Sequence, residues 1–350
     1  MKVLVAVSGG VDSAVSVHLL KEAGYEVMGV VMKMSPAHDA TVEDARRAAL
    51  QLDIPLTVAD CTGRFDREVV SYFMNEYRSG RTPSPCVVCN PLVKFRVLAE
   101  EADRLGCEKI ATGHYAGLRQ QDGITLLTRG EDPARDQSYM LARLTQPVLS
   151  RLLLPLSTLS KDRVREIAAG LGLSCAAKPD SQEICFIPDG DYAAYIEGRA
   201  GSCPPGDFIS PEGRPCGQHR GILHYTVGQR KKLGIALGRP VFIREIDPVS
   251  NRIYLADAGQ EYAGSCTLSG LSETFPGSLS GAALPESMAV EAKIRSRAPL
   301  AAATLTLVPE GQARLAFETP QRAPAPGQLA VFYRDGVVLG GGFIDRAEFL

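Results

Sequence analysis

The chain has 350 residues and a mass of 37.5 kDa, more than one compact domain usually holds, so two or three domains are expected. A hydrophobic fraction of 45% can build real cores, and 22% charged residues argue against a disordered chain. The 38 basic and 40 acidic residues nearly cancel to −2, which excludes a chain that is basic throughout but leaves room for a local nucleic-acid surface. Neither a secretory leader nor an apolar run long enough to span a bilayer is read, so a cytoplasmic location, no membrane partner and reduced thiols are expected.

The first half alternates strand and helix in the manner of a parallel sheet covered on both faces. Lys2 to Val7 reads as a strand, Asp12 to Ala23 as a helix, Glu26 to Met32 as a strand, and Val42 to Leu52 as a helix. Leu56 to Ala59 is a strand, Arg64 to Arg78 and Lys94 to Leu105 are helices, Lys109 to Thr112 is a buried strand, and Lys161 to Leu171 is a helix capped by Ser160. From about Cys203 the texture changes to Gly and Pro turns between short strands: Pro240 to Ile246, Arg252 to Ala256, Ser265 to Leu268, Val290 to Arg297, Ala302 to Val308, Ala313 to Phe317, Gln328 to Tyr333 and Val337 to Ile344. The expected organisation is an α/β domain over 1–203, a small connecting domain over 204–263 and a β domain over 264–350.

Ser8-Gly9-Gly10-Val11-Asp12-Ser13 joins the first strand to the first helix. Two glycines allow positive φ and close approach of an anion to backbone N–H groups, and the helix dipole adds positive potential there. The Gly-Lys-Ser/Thr end of the Walker loop and the three-glycine dinucleotide fingerprint are both missing. A plain tight turn with Ser8 as the helix cap is the structural alternative.

Cys86-Val87-Val88-Cys89 follows the proline-fixed run Gly80-Arg81-Thr82-Pro83-Ser84-Pro85 and precedes a helix bearing Lys94 and Arg96. Thiols beside a helix start and two cations are expected to have a lowered pKa, which suits a nucleophile. A zinc half-site or a redox pair are the alternatives, and no second Cys-x-x-Cys or His pair completes a zinc tetrad. Cys185 sits alone in a polar loop, while Cys61, Cys107, Cys175, Cys203, Cys216 and Cys266 read as packing or surface residues.

Several segments recur in one order: the glycine turn, Gly80-Arg81-Thr82-Pro83 through Cys89-Asn90, Ala111-Thr112-Gly113-His114-Tyr115, Asp136-Gln137-Ser138-Tyr139, Asp180-Ser181-Gln182 with Ile184-Cys185-Phe186, and Tyr225-Thr226-Val227-Gly228-Gln229-Arg230. Together they resemble, from end to end, the tRNA-specific 2-thiouridylases of the ATP pyrophosphatase superfamily. Pro326-Gly327-Gln328 and Leu339-Gly340-Gly341-Gly342 extend the match. The resemblance implies an α/β, parallel-sheet pyrophosphate-loop domain of the adenine nucleotide alpha hydrolase type, then a small connecting domain and a C-terminal β-barrel-like domain.

It also implies the activity: ATP-dependent 2-thiolation of the wobble uridine of tRNA, with release of AMP and pyrophosphate. Cys89 is then the nucleophile and Cys185 the persulfide carrier. Ala6, Val7, Ser8, Gly9, Gly10, Val11, Asp12, Ser13, Met32 and Gly113 would bind ATP, with Asp12 helping to position Mg²⁺. Ser84, Pro85, Cys86, His114, Arg135, Asp136, Gln137, Arg295, Ser296 and Gln328 would contact tRNA. The family's partners are tRNAs for Lys, Glu and Gln and a sulfur donor, either a cysteine desulfurase or a relay protein. A competing use of Cys86, Cys89 and Cys185 is ligation of a [4Fe–4S] cluster. Another adenylating enzyme of the superfamily, an amidotransferase or ligase, and a non-catalytic ATP- and tRNA-binding module are the rival functions.

The chain departs from the family pattern at Cys86 where some members have aspartate, at Arg135 for lysine, at Ser296 where a tyrosine is expected, and at Met32-Lys33-Met34, which lacks the usual aromatic nearby. Between Gly213 and Arg244 lie seven basic residues (Arg214, Arg220, Arg230, Lys231, Lys232, Arg239, Arg244) and no acid. With His219, His224 and Tyr225 among them, this segment is expected to offer phosphate contacts and base stacking. Lys293, Arg295 and Arg297 are expected to alternate along one strand and share a face.

Overall fold

The computed structural model describes residues 1–179, 184–280, 286–308 and 311–350. Strands β1 (Lys2–Ala6), β2 (Glu26–Lys33), β3 (Leu56–Asp60), β4 (Lys109–Ala111) and, beyond the hairpin of β5 (Ala116–Gln121) and β6 (Ile124–Arg129), β7 (Leu152–Leu153) build the first domain. Five of them form a parallel sheet in the order β3-β2-β1-β4-β7. Along β1 the side chains alternate between two cores. Val3 and Val5 pack with Val15, Ala45 and Val164, whereas Leu4 packs with Phe65, Phe73, Val88 and Leu98. Both faces are therefore covered, which is why this strand reads as an uninterrupted apolar run.

Helices α1 (Val11–Glu22) and α2 (Asp39–Gln51) follow β1 and β2. Two longer helical runs, α3 over 62–78 and α4 over 85–104, each contain a π-turn, at Asp66–Val70 and Asn90–Lys94. Such turns break the regular ladder and are frequent at functional sites. The chain crosses in opposite directions from β1 to β2 and from β1 to β4, so the crevice at the carboxyl ends of β1 and β4 is the topological switch point, where α/β sheets bind ligands.

The middle of the chain forms a separate sheet, ordered β10-β11-β8-β9, from β8 (Gly206–Ile209), β9 (Pro215–His219), β10 (Val241–Asp247) and β11 (Arg252–Asp257). Its own core contains Phe208, Tyr225, Ile243 and Ile253. The final six strands are β12 (Tyr262–Glu273), β13 (Ser287–Lys293), β14 (Ala301–Val308), β15 (Gln312–Arg322), β16 (Leu329–Arg334) and β17 (Val337–Phe349). They pair antiparallel in the order β12-β15-β14-β13-β16-β17, and β17 returns to β12, closing a barrel. Gly340 and Gly341 let β17 cross its neighbours closely: a Cβ at Gly340 would strike the Ser272 carbonyl, and one at Gly341 would lie 2.7 Å from Ala330 O.

The α/β domain, connecting sheet and barrel expected from the sequence are all present. Among the features not anticipated are the β5–β6 hairpin and the helix Tyr192–Ala200. The hairpin belongs in sequence to the α/β domain, yet β6 pairs with β17 through Thr128 and Val337 and so extends the barrel's sheet. One expectation is corrected. Strand β13 ends at Lys293, and 294–298 forms a bend and turn, so Lys293, Arg295 and Arg297 do not share a strand face. Lys293 is buried, while Arg295 and Arg297 are exposed.

Candidate active site

Ala6 and Val7 carry β1 into the glycine turn, where Val7 N–H donates to Val30 O at 2.8 Å. Gly9 has φ +68°, and a Cβ there would lie 2.7 Å from the Ala45 amide, so the position needs glycine twice over. Ser13 closes the loop. Its Oγ accepts from Ser8 N–H at 3.1 Å, donates to Gly10 O at 3.0 Å and meets Ser8 Oγ at 3.2 Å. Ser8 therefore does not cap the helix. The N-cap of α1 is Gly10, extended and without a side-chain cap, so the first N–H groups of a twelve-residue helix face the crevice with no side chain of their own to bind.

Gly113, at the end of β4, packs directly on this helix start, and a Cβ there would fall 2.9 Å from the Asp12 carbonyl carbon and 3.0 Å from Ser13 N. Met32 is buried on β2 in the core beneath the cysteine segment. The sequence reasoning missed Lys161. Its ammonium is buried and donates to both carboxylate oxygens of Asp12 at 2.8 Å, and Tyr115 OH donates to Asp12 Oδ1 at 2.7 Å. A lysine does reach this turn, from the first turn of the helix Lys161–Gly170 rather than from the loop. The Ser160 cap was legible; nothing in the local pattern announced that the residue after it points inward.

The cysteine segment opens α4. Cys86 is exposed and Cys89 is buried, with its thiol 3.9 Å from Met34 Sδ. Asn90 is fixed by donating from Nδ2 to Met140 O at 2.7 Å, while its buried Oδ1 has no hydrogen-bond partner among the described residues. The π-turn brings Lys94 back beneath Cys89, and the Lys94 ammonium interacts electrostatically with Cys89, Cys86 and Cys185 together. The expected lowering of the Cys89 pKa is not found. Burial pushes the thiol up to about 12, outweighing the opposing attraction of Lys94. Cys185 shows surface to solvent, but its crowded surroundings also raise its pKa, again against the pull of Lys94. Arg96 points away and pairs with Glu100 at 3.2 Å. Asp180 to Glu183, in the loop preceding Cys185, lie outside the described residues.

His114 links the two halves of the crevice. It follows Gly113, stacks on Phe95 at 5.9 Å and shares a 2.8 Å hydrogen bond with Thr112. Burial, reinforced by Lys94, holds its pKa down at about 3, so the ring is neutral. Among the described residues no three His, Cys, Asp or Glu side chains are gathered to hold a metal ion.

The remaining residues expected at the tRNA lie where the α/β domain meets the barrel. Gln328 donates from Nε2 to Thr82 O at 3.0 Å and Pro83 O at 3.2 Å, holding the strand of chain that leads into Ser84 and Pro85. Thr82 N–H donates to Pro326 O at 2.7 Å, and Arg81 pairs with Glu76 and Asp345. Gln137 exchanges hydrogen bonds with the backbone of Tyr115. Asp136 is turned inward: its carboxylate accepts from Gly130 N–H and Ser138 N–H at 3.1 and 3.0 Å and pairs with Arg129 at 3.3 Å and Lys293 at 3.6 Å. Arg135 beside it is exposed, and Arg295 and Ser296 lie on the turn after β13.

In the connecting domain all seven basic residues are exposed. Arg230, Lys232 and Arg239 border a cavity of about 490 Å³ floored by Leu233, Ile235 and Leu237. The expected stacking aromatics are not available. His219 and Tyr225 are buried against Phe208, and His224 pairs with Glu197 at 3.1 Å, because the turn carrying them folds into the domain core. Arg239 is engaged by Glu212 and Asp257.

Comparison with known proteins follows the same division. Residues 1–189 match the family described as tRNA methyl transferase HUP domain, 194–257 the tRNA methyl transferase PRC-barrel domain, and 277–344 the aminomethyltransferase beta-barrel domain. The tRNA-specific 2-thiouridylase MnmA of Moorella thermoacetica is 45% identical over 98% of this chain and 99% of its own, and that of Clostridium perfringens is 42% identical over 98% of both. A 4-thiouridine synthetase solved as an RNA complex with bound ATP is 20% identical, with a TM-score of 0.34 over 51% of this chain and 42% of that one. Identity sustained at that level across the α/β domain, the connecting sheet and the barrel means that the chain belongs to the MnmA family of tRNA-specific 2-thiouridylases, enzymes that transfer sulfur to tRNA.

Proposed function

We propose that the crevice between β1 and β4 binds ATP and adenylates O2 of the wobble uridine, and that the cysteine cluster then delivers sulfur to C2. The observation that carries this reading is continuity: the uncapped helix start meets Gly113, His114 follows, and Lys94 beside it faces Cys86, Cys89 and Cys185. An anion-binding turn and a set of thiols thus share one crevice.

The uridine carbonyl oxygen is a poor leaving group. Attack of O2 on the α-phosphorus of ATP, with departure of pyrophosphate, converts it to an adenylate. The terminal sulfur of a Cys185 persulfide attacks C2 and AMP leaves. The Cys89 thiolate then attacks Cys185 Sγ, the S–S electron pair stays on the transferred sulfur as the thiocarbonyl forms, and a Cys89–Cys185 disulfide remains for a thiol reductant to open. Reaching C2 requires the base to leave the anticodon stack, toward Ser84, Pro85 and Cys86. His114, Arg135, Gln137, Arg295, Ser296 and Gln328 frame that approach, and the exposed basic face of the connecting domain supplies phosphate contacts.

The Asp12 carboxylate is engaged by Lys161 and Tyr115, and among the described residues no three His, Cys, Asp or Glu side chains are gathered to hold a metal ion, so no step is routed through Mg²⁺ or a [4Fe–4S] centre. A cytoplasmic enzyme acting on tRNAs for Lys, Glu and Gln, with sulfur from a cysteine desulfurase or relay protein, fits this chemistry. The test is mass spectrometry of tRNA nucleosides after incubation with ATP and a persulfide donor, which passes its sulfane sulfur to Cys185 without any oxidant. Cys89→Ser and Cys185→Ser are each expected to abolish 2-thiouridine while sparing ATP binding. Formation of 2-thiouridine by Cys89→Ser would refute the persulfide route, and ATP consumption by the parent enzyme without any 2-thiouridine would instead favour an amidotransferase-like use of the adenylate.

A further inference from the structure

Arg143 lies where the cysteine helix, the 138–141 turn and strand β17 converge. The turn is pinned on both sides, by Asn90 donating to Met140 O at 2.7 Å and by Tyr139 OH donating to Leu329 O at 2.7 Å. The Arg143 guanidinium lies over the Phe343 ring of β17, 4.8 Å from its centroid, and Tyr72 packs on the same ring at 6.2 Å while its hydroxyl donates to Gly327 O at 3.4 Å. Among the described residues Arg143 Nε is buried without a hydrogen-bond partner, and no carboxylate pairs with this side chain. Arg81, in the same crease, is treated differently: Glu76 stands at 2.8 Å, Asp345 at 3.2 Å, and Ile344 O accepts at 3.1 Å.

A guanidinium keeps its charge at any ordinary pH, and half-burying it with Nε unpaired favours an anion arriving from the open side. The crease that holds Arg143 is also the one through which Gln328 fixes the Thr82–Pro83 segment leading to Ser84 and Cys86. We propose that Arg143 is a binding residue for an RNA backbone phosphate, received in the crease between the α/β domain and the barrel beside the target uridine. This rests on the reading that Ser84 to Cys86 faces that base. Nucleotide phosphates have their own seat at the glycine turn, which leaves the tRNA backbone as the source.

The experiment measures the affinity of full-length enzyme for an unmodified tRNA transcript at several KCl concentrations, for the parent, Arg143→Met and Arg143→Lys. One lost phosphate contact should lower the slope of log K against log [KCl] by about 0.7 to 0.9 and weaken binding roughly 5- to 20-fold near 100 mM salt, with Arg143→Lys keeping the parental slope. Arg143→Gln serves under the same slope criterion should the methionine variant not fold. An unchanged slope in the charge-removing variant would show that Arg143 only packs on Phe343 and would overturn the proposal. So would a loss of ATP affinity measured without tRNA, which would assign the phosphate to the nucleotide. Photocrosslinking of 4-thiouridine placed at the wobble position tests the base placement separately. Its failure to reach Ser84 to Cys86, with the slope effect intact, would sink that placement and leave the phosphate contact standing.

Discussion

Asp136 was expected at the tRNA, yet its carboxylate is enclosed, and Asp136→Asn separates the two roles. In the folded protein Oδ1 accepts two backbone N–H groups, and Oδ2 faces Arg129 at 3.3 Å and Lys293 at 3.6 Å, with no side-chain exposure of Asp136 and only 8% of Lys293. An asparagine retains the acceptor for the two N–H groups. It removes the negative charge and, where Oδ2 stood, turns an NH₂ toward two cations, so Lys293 is left as a buried ammonium without its counter-ion. Removing one partner of a buried pair costs about 3–5 kcal/mol, and the partial exposure of Arg129 favours the lower end of that range. For a chain of this size that corresponds to a fall in melting temperature on the order of 5–15 °C in the transition that includes the barrel interface. Calorimetry with parallel tRNA binding at a temperature where the variant is folded is the assay. A melting temperature within 1–2 °C of the parent (roughly half a kcal/mol) combined with a large loss of tRNA affinity would refute the structural role and return Asp136 to the RNA surface.

The cysteines should differ in reactivity. Exposed Cys86 is expected to be alkylated by iodoacetamide well before Cys89, whose raised pKa makes its rate climb about tenfold per pH unit from 7 to 10; peptide mass spectrometry of a time course reads both. His114, with its pKa held near 3, should show no NMR titration between pH 5 and 8. Because its folded pKa lies below the unfolded value of about 6.5, the unfolded chain binds the extra proton first, and stability falls as pH drops from 6.5 toward 3. Denaturation midpoints of His114→Gln, which cannot take up that proton, should lose part of this acid sensitivity.

Much of the fold is written in local pattern. The apolar β1 run and the glycines after it led to the sheet and its crevice, and Cys86 and Cys89 marked the thiol segment. Hairpin β5–β6 does carry a local signal: Asp122-Gly123, with φ of +50° and +78°, is the dipeptide favoured in tight hairpin turns. Its polar Arg119, Gln120 and Gln121 hid the strand. Lys161, Arg143 and the inward Asp136 were not legible, because each acquires meaning only from a partner distant in the chain: Asp12, Phe343 and Lys293 respectively. The lowered Cys89 pKa failed for a related reason, since neighbouring cations can be counted along a sequence but the burial that outweighs them cannot.

The docking of Thr82 on Pro326 and Gln328, together with the pairing of Thr128 with Val337, has a temporal consequence. A ribosome emits the glycine turn and both motif cysteines early, but the segment that presents Cys86 and Cys89 stays unbraced until the last strands emerge. A nascent or truncated chain therefore carries an exposed hairpin edge and an unset thiol loop. Prematurely terminated products are therefore expected to be open to proteolysis at that loop.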